Sequence, residues 1–261
     1  MAKAKDDGGI VETIKTVVYA LLLAGIFRTL FFQPFYIPSG SMKSTLLIGD
    51  FLFVNKMAYG YSAVSCPLGL CPFIEGRILG SEPERGDIVV FRHPTNGTDY
   101  IKRLIGVPGD EVQVVDGRLF LNGEIVPRDP DGVFTEINEP QGPERRRPSC
   151  SNRVVSIGAE CLKNRFVETL PNGVSYTMLD TTTVSSDNTP PIRVPEGQYF
   201  FMGDNRDNSI DSRVSRRAGG VGFVPYENLI GRANHVVFSS GGSSMFAVWA
   251  WRLDRFFVGL D

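Results

Sequence analysis

Residues 111–126 read EVQVVDGRLFLNGEIV. EVQVV (111–115) and RLFL (118–121) are short apolar runs of strand composition. Asn122-Gly123, between RLFL and EIV, is a two-residue hairpin signal, because both residues accept the positive φ that such a turn requires. The same pattern recurs on either side. DFLFVN (50–55), DIVVF (87–91), YIKRLIGV (100–107) and YFFM (199–202) are apolar runs set among Gly, Pro, Asn and Asp. No long stretch of 3.6-residue period follows residue 33, so this part of the chain is expected to be mainly antiparallel β.

Residues 127–195 differ. They are rich in Pro, Arg, Ser and Thr, carry one cysteine pair and include TTTVSSDNTPP (181–191). They read as part of an inserted, loop-rich β accessory lobe spanning 111–195. A catalytic β domain would then comprise 34–110 and 196–261. The end of the chain, MFAVWAWRLDRFF (245–257), is strongly aromatic. It reads either as a terminal element packed on the core or as a membrane-facing patch.

Ahead of the strands, TVVYALLLAGIFRTLFF (16–32) holds a single charge, Arg28. As a helix it spans about 25 Å, enough to cross a thin bilayer. Arg28 lies near the outer end, where its stem can reach the headgroups. Phe31, Phe32, Phe35 and Tyr36 supply an interfacial aromatic belt, and Pro34 is expected to stop the helix. The run ends without a small-x-small cleavage site, so residues 1–33 read as a cytoplasmic tail and an uncleaved transmembrane anchor. Lys3, Lys5 and Lys15 precede the anchor, whereas Lys43 alone appears in the 20 residues after Gln33. That bias puts the N-terminus in the cytoplasm and the remainder outside.

With 261 residues, the chain is long enough for one large domain or two smaller ones. A net charge of −2 argues against a phosphate-driven nucleic-acid binder. Arg145-Arg146-Arg147, bracketed by Pro143 and Pro148, reads as a solvated loop. The four cysteines form two close pairs, Cys66/Cys71 and Cys150/Cys161. Neither pair has metal-ligand spacing, and no metal or cofactor is implied. In an oxidising compartment each pair would form a disulfide; in a cytosolic protein all four would be thiols.

For chemistry, the two histidines, His93 and His235, could each serve a triad, but no G-x-S-x-G elbow is present. The alternative is a serine activated by a lysine. Ile37-Pro38-Ser39-Gly40-Ser41-Met42 follows the anchor closely. Tyr100-Ile101-Lys102-Arg103-Leu104-Ile105-Gly106-Val107 places a lysine in an apolar strand. GDNRDNSIDSR (203–213) is a dense polar loop after the strand YFFM.

These three blocks, in this order behind an N-terminal anchor, resemble bacterial type I signal peptidase (leader peptidase), a family of Ser–Lys serine proteases. The resemblance extends to LLIGDFLFVNK (46–56) and GFVPYENLIGRA (222–233). It departs at Lys43-Ser44, where the family usually carries a proline before Thr-Leu.

The resemblance implies Ser41 as nucleophile, Lys102 as general base and Ser209 as the hydroxyl that orients the lysine amine. It implies an oxyanion hole of the Ser41 N–H and the Ser39 hydroxyl, with Asp204, Asp211 and Arg213 stiffening the site. Phe35, Ile37, Pro38, Met42, Leu46, Tyr100 and Ile101 match the walls of a shallow pocket for small residues at positions −1 and −3 of an extended substrate. The implied partners are exported preproteins and the lipid bilayer, with no nucleic acid. The implied location is the bacterial inner membrane, with the catalytic domain on its outer side. Competing readings are a Ser–Lys peptidase dedicated to one secreted pilin, a self-cleaving repressor and a non-catalytic envelope module.

Overall fold

The computed structural model describes residues 8–66, 71–152, 155–242 and 245–260. Lys3 and Lys5, on which the charge bias partly rests, lie outside the described residues.

One α-helix, Gly8–Leu30, opens the described chain. Its 23 residues reach about 34 Å, because the helix begins well before the apolar run. Its apolar side chains are exposed along its length, with Leu23 at 70%. Such a stripe-free apolar helix is buried only by lipid, and it is long and apolar enough to cross a membrane. Thr13, Thr16 and Thr29 each turn their hydroxyl back to a carbonyl one turn earlier, which satisfies it without water.

Pro34 does not end this helix. The helix stops at Leu30, and Pro34 sits in the strand Phe32–Tyr36. That strand is the edge of the main sheet, where a residue without an N–H costs no ladder hydrogen bond.

The main sheet has eight strands, all paired antiparallel. Its order is Phe32–Tyr36, Asp50–Asn55, Leu229–Ser239, Ile88–Arg92, Asp99–Gly106, Gln198–Met202 and Val224–Pro225, with Val258–Gly259 also on Leu229–Ser239. The hairpin of residues 118–125 forms as its sequence implies: Leu121 pairs with Glu124, and Asn122 takes φ 55°. With Glu111–Val115 and Ile192–Arg193 it makes a four-stranded sheet.

Within 127–195 the structure is richer in strand than the composition implies. Arg128–Ile137, Glu160–Thr169 and Ser175–Asp180 form a three-stranded sheet. The first two are ten residues each. A register shift between Pro130 and Val133 interrupts the regular pattern there, and charged Arg128, Asp131 and Glu136 take half-buried positions while Val133 and Ile137 are exposed, which hides the apolar signal.

Apolar side chains from these smaller sheets share one core with the main sheet: Val112, Leu119, Leu121 and Met178 pack with Ile105, Phe200 and Met202. The C-terminal aromatic segment is packed on the sheet in part: Trp251 and Phe256 lie against Phe238, while Phe246 and Trp249 are more than four-fifths exposed.

Disulfides join Cys66 to Cys71 and Cys150 to Cys161. The second closes a loop of 11 residues between the arginine-rich turn and the strand Glu160–Thr169. By loop-closure entropy it stabilises the fold by about 2–3 kcal/mol. Replacing Cys150 and Cys161 together by serine is therefore expected to lower the denaturation midpoint of the micelle-solubilised protein by that equivalent. An unchanged midpoint would show that the bridge contributes nothing.

Candidate active site

The segment 37–46 follows the edge strand, and its Ile37, Met42 and Leu46 are buried in one apolar cluster with the main sheet. This anchoring holds Ser39, Gly40 and Ser41 against the strand Asp99–Gly106. Lys102, 3% exposed, donates from Nζ to Ser41 Oγ at 2.6 Å and to the Ile101 carbonyl at 3.0 Å. Burial pushes the Lys102 pKa down to about 8; Asp211 and Asp204 oppose this and Arg213 adds to it.

The loop 203–213 closes over the serine. Asn205 donates its backbone N–H to the Ser41 carbonyl (3.0 Å) and its side-chain amide to the Gly40 carbonyl (2.8 Å). Gly203 permits this closure: a Cβ there would lie 2.3 Å from Ser209 Oγ and 2.6 Å from the Ser41 carbonyl oxygen. Ser209 Oγ is thereby buried close to the nucleophile's backbone, and it faces the Asp211 carboxylate, whose charge it helps to hold. Ser39 Oγ lies 3.5 Å from Ser41 Oγ, on the accessible side of the loop.

Both nearby carboxylates are occupied by arginines. Asp211 takes Arg213 on both oxygens (2.9 Å each) and also the Gly203 N–H (3.0 Å). Burial alone would raise the Asp211 pKa, but the attraction and hydrogen bonds of Arg213 outweigh it and hold the group ionised. Asp204 takes Arg103 in a two-point pair at 2.9 and 2.8 Å and the Thr45 hydroxyl at 2.5 Å.

The network runs further than the sequence indicated. Arg103 stacks over the Tyr176 ring at 4.2 Å, Tyr176 donates to Glu168, and Glu168 binds Arg206. Arg213 closes the chain by donating to the Arg206 carbonyl (2.6 Å). Arg103 and Arg206 stand inside the motifs already singled out. Glu168 and Tyr176 carried no signal, because they come from distant strands of the smaller sheet.

A cleft of about 480 Å³ opens over Ser41 and Lys102. Phe35, Ile37, Pro38, Val90, Tyr100 and Ile101 line its apolar side. Met42 and Leu46, expected among the pocket walls, do not line it; they are fully buried beneath, because the apolar cluster under the sheet claims them.

Neither histidine reaches the cleft. His93 packs on the outer side of Tyr100, with ring centroids 4.8 Å apart, and accepts backbone N–H groups of its own turn. His235 is exposed on the strand Leu229–Ser239. Among the described residues no cluster could hold a metal ion.

The model of the family described as signal peptidase, peptidase S26, matches residues 10–238. The chain belongs to the signal peptidase family, peptidase S26. Signal peptidase I of Rickettsia typhi (strain ATCC VR-144 / Wilmington) is 39% identical over 246 residues, 90% of this chain and 83% of the relative. Signal peptidase I of Rickettsia canadensis (strain McKiel) is 42% identical over 87% of this chain and 79% of its own length. A solved signal peptidase I from Enterococcus faecalis V583 aligns with 58% of this chain and 97% of its own, at 28% identity and a TM-score of 0.30.

Membership makes this peptidase a serine endopeptidase that removes signal peptides from exported preproteins. With its exposed apolar helix, it is a membrane-anchored one.

The buried Arg103–Asp204 pair carries a direct consequence. Asp204→Ala strands the Arg103 guanidinium in the interior, so the fold is expected to lose about 3–5 kcal/mol. Urea unfolding of the variant measures this, and a loss under about 1 kcal/mol would show that solvent reaches the guanidinium.

Proposed function

We propose that this signal peptidase cleaves after small-x-small sites by a Ser41–Lys102 mechanism. The observation that carries the reading is the 2.6 Å contact between Lys102 Nζ and Ser41 Oγ, made by a lysine with almost no water around it. Uncharged Lys102 accepts the Ser41 Oγ proton as Oγ attacks the scissile carbonyl carbon. The oxyanion formed is received by the Ser41 N–H and the Ser39 hydroxyl. The Lys102 ammonium then protonates the departing amine, leaving an ester on Ser41. Lys102, neutral again, deprotonates a water that hydrolyses the ester and frees the signal peptide.

Ser209 supplies the hydroxyl that orients the Lys102 amine. Asp204, Asp211 and Arg213 keep the surrounding loop in place. Phe35, Ile37, Pro38, Tyr100 and Ile101 hold the substrate as an extended strand, and their close approach suits alanine-sized side chains. The peptidase sits in the inner membrane with its N-terminus in the cytoplasm and its β domain outside. Lys15 on the inner flank and the two disulfides support that orientation. Residues 34–110 with 196–261 form the catalytic unit, and 111–195 the inserted lobe.

Ser41→Ala and Lys102→Ala are each expected to cut turnover of an A-x-A preprotein by at least about 1,000-fold, and the double variant to be no worse, because the pair acts as one unit. Activity close to wild type in Lys102→Ala would overturn the mechanism.

The pH profile gives a separate check. Protonated lysine cannot accept the serine proton, so the rate should climb through about pH 8 and level above it. A base of histidine type would instead bring the rate near its plateau by about pH 7 to 7.5, and a plateau already reached by about pH 6.5 would rule out Lys102 as the base. Removing residues 1–33 should leave this profile unmoved on a short peptide. It should weaken cleavage of membrane-bound preproteins, for which anchoring raises the effective concentration.

A further inference from the structure

The arginine run 145–147 lies at a turn, and part of it lines the same cleft as Tyr100 and Ile101. Arg146 and Arg147 line the same cavity as Ser41 and Lys102, whereas Arg145 lines a neighbouring hollow.

The turn is seated firmly. Gln141 accepts from Lys43 Nζ (2.6 Å), two residues past Ser41, and donates to Glu136 (2.7 Å). Glu136 is bound on its two oxygens by Lys43 and Lys163. The backbone closes the turn through Gln141 N–H to the Arg146 carbonyl and Arg145 N–H to the Gly142 carbonyl. Gly142 packs so tightly on the substrate-binding segment that a Cβ would fall 2.4 Å from the Pro38 carbonyl oxygen. The turn and the segment 37–41 therefore form one surface.

Charge on that wall is unbalanced. The cleft carries Lys43, Lys163, Arg146 and Arg147 against Asp99 and Glu144, leaving Lys102 aside. Asp99 is already paired with Arg92, and Glu144 with Arg146. Lys43 and Lys163 share the one carboxylate of Glu136. Arg147 has no ion-pair partner among the described residues. The wall thus holds a net positive field over an apolar floor, with Arg147 unpaired among the described residues and Arg146 held only by an exposed ion pair to Glu144 that a substrate carboxylate can compete for.

We propose that Arg146 and Arg147 form a subsite for a carboxylate side chain of the preprotein close to the scissile bond. Lys43 and Lys163 hold the turn in place and add to its field. This rests on the peptidase reading above and concerns its substrate choice. A peptide lying along Pro38 and Tyr100 passes beneath this wall, so an acidic side chain directed at the turn meets two cations, and a basic one is repelled. These are exposed heads in a wet cleft, so the expected preference is modest.

The test uses the full-length protein in micelles and a soluble peptide with a neutral sequence around a small-x-small site. Glutamate, then lysine, is placed singly at each neighbouring position on either side of the cut. Glutamate at one position is expected to raise kcat/KM about 3- to 10-fold over the neutral parent, and lysine there to lower it. The gain should shrink at high salt. In Arg146→Ala/Arg147→Ala the glutamate peptide should be cleaved no faster than the neutral parent, while Arg145→Ala keeps the gain.

No glutamate effect at any position, or a gain that survives in the double variant, overturns the subsite. So does a double variant that handles the peptides like wild type but binds phosphatidylglycerol vesicles more weakly, since the turn would then be a lipid contact. Failure of the wild type to cleave the neutral parent would overturn the peptidase reading together with the subsite, whereas cleavage without a charge effect overturns the subsite alone.

Discussion

An ammonium group buried beside a serine hydroxyl has to lose its charge easily, and the rest of the site is arranged around that requirement. Lys102 is enclosed by the strand that carries it and by the serine loop, so water cannot support its charge. Two buried carboxylates, Asp204 and Asp211, are close enough to pull the proton back. Each is instead taken in two-point geometry by its own arginine, Arg103 or Arg213. The pairs leave the lysine with burial as the dominant influence, and its pKa falls to about 8.

The arginine pairs also tie the site to the rest of the molecule. Arg103 is the strand neighbour of Lys102, and its stack on Tyr176 leads through Glu168 to Arg206 and back to the loop that covers Ser41. A buried ionic chain of this kind contributes little net stability over an apolar core of the same volume. Its contribution is to geometry, because each member fixes the position of the next. The smaller sheet thereby holds up the active-site loop. The second ionic group, Lys43–Glu136–Lys163, does the same for the arginine turn that lines the cleft.

The helix and the aromatic residues at its base set the working plane. Phe27, Phe32 and Phe53 form a chain of ring contacts from the helix into the edge strand. That strand runs directly into Ile37 and the serine loop. The serine loop is therefore joined to the end of the helix by one short strand.

The antiparallel β architecture, the apolar helix and the three motif blocks were legible in the sequence, because they depend on local composition and on short spacings. Asn122-Gly123 dictates its own turn, and Lys102 in an apolar run announces a buried amine. What the sequence could not show was distance between segments. Pro34 looks like a helix stop until the edge strand accommodates it. Met42 and Leu46 look like pocket walls until the core claims them. Glu168 and Tyr176 look like any residues of a polar strand until Arg103 and Arg206 meet them, some 30 to 70 positions away. Arg146 and Arg147 read as solvated, and they are, but the fold lays them across the mouth of the cleft. Local chemistry determines which residues can be strand, turn or nucleophile. Only tertiary packing decides which charges become neighbours, because Coulomb and hydrogen-bond energies depend on separation in space, not along the chain.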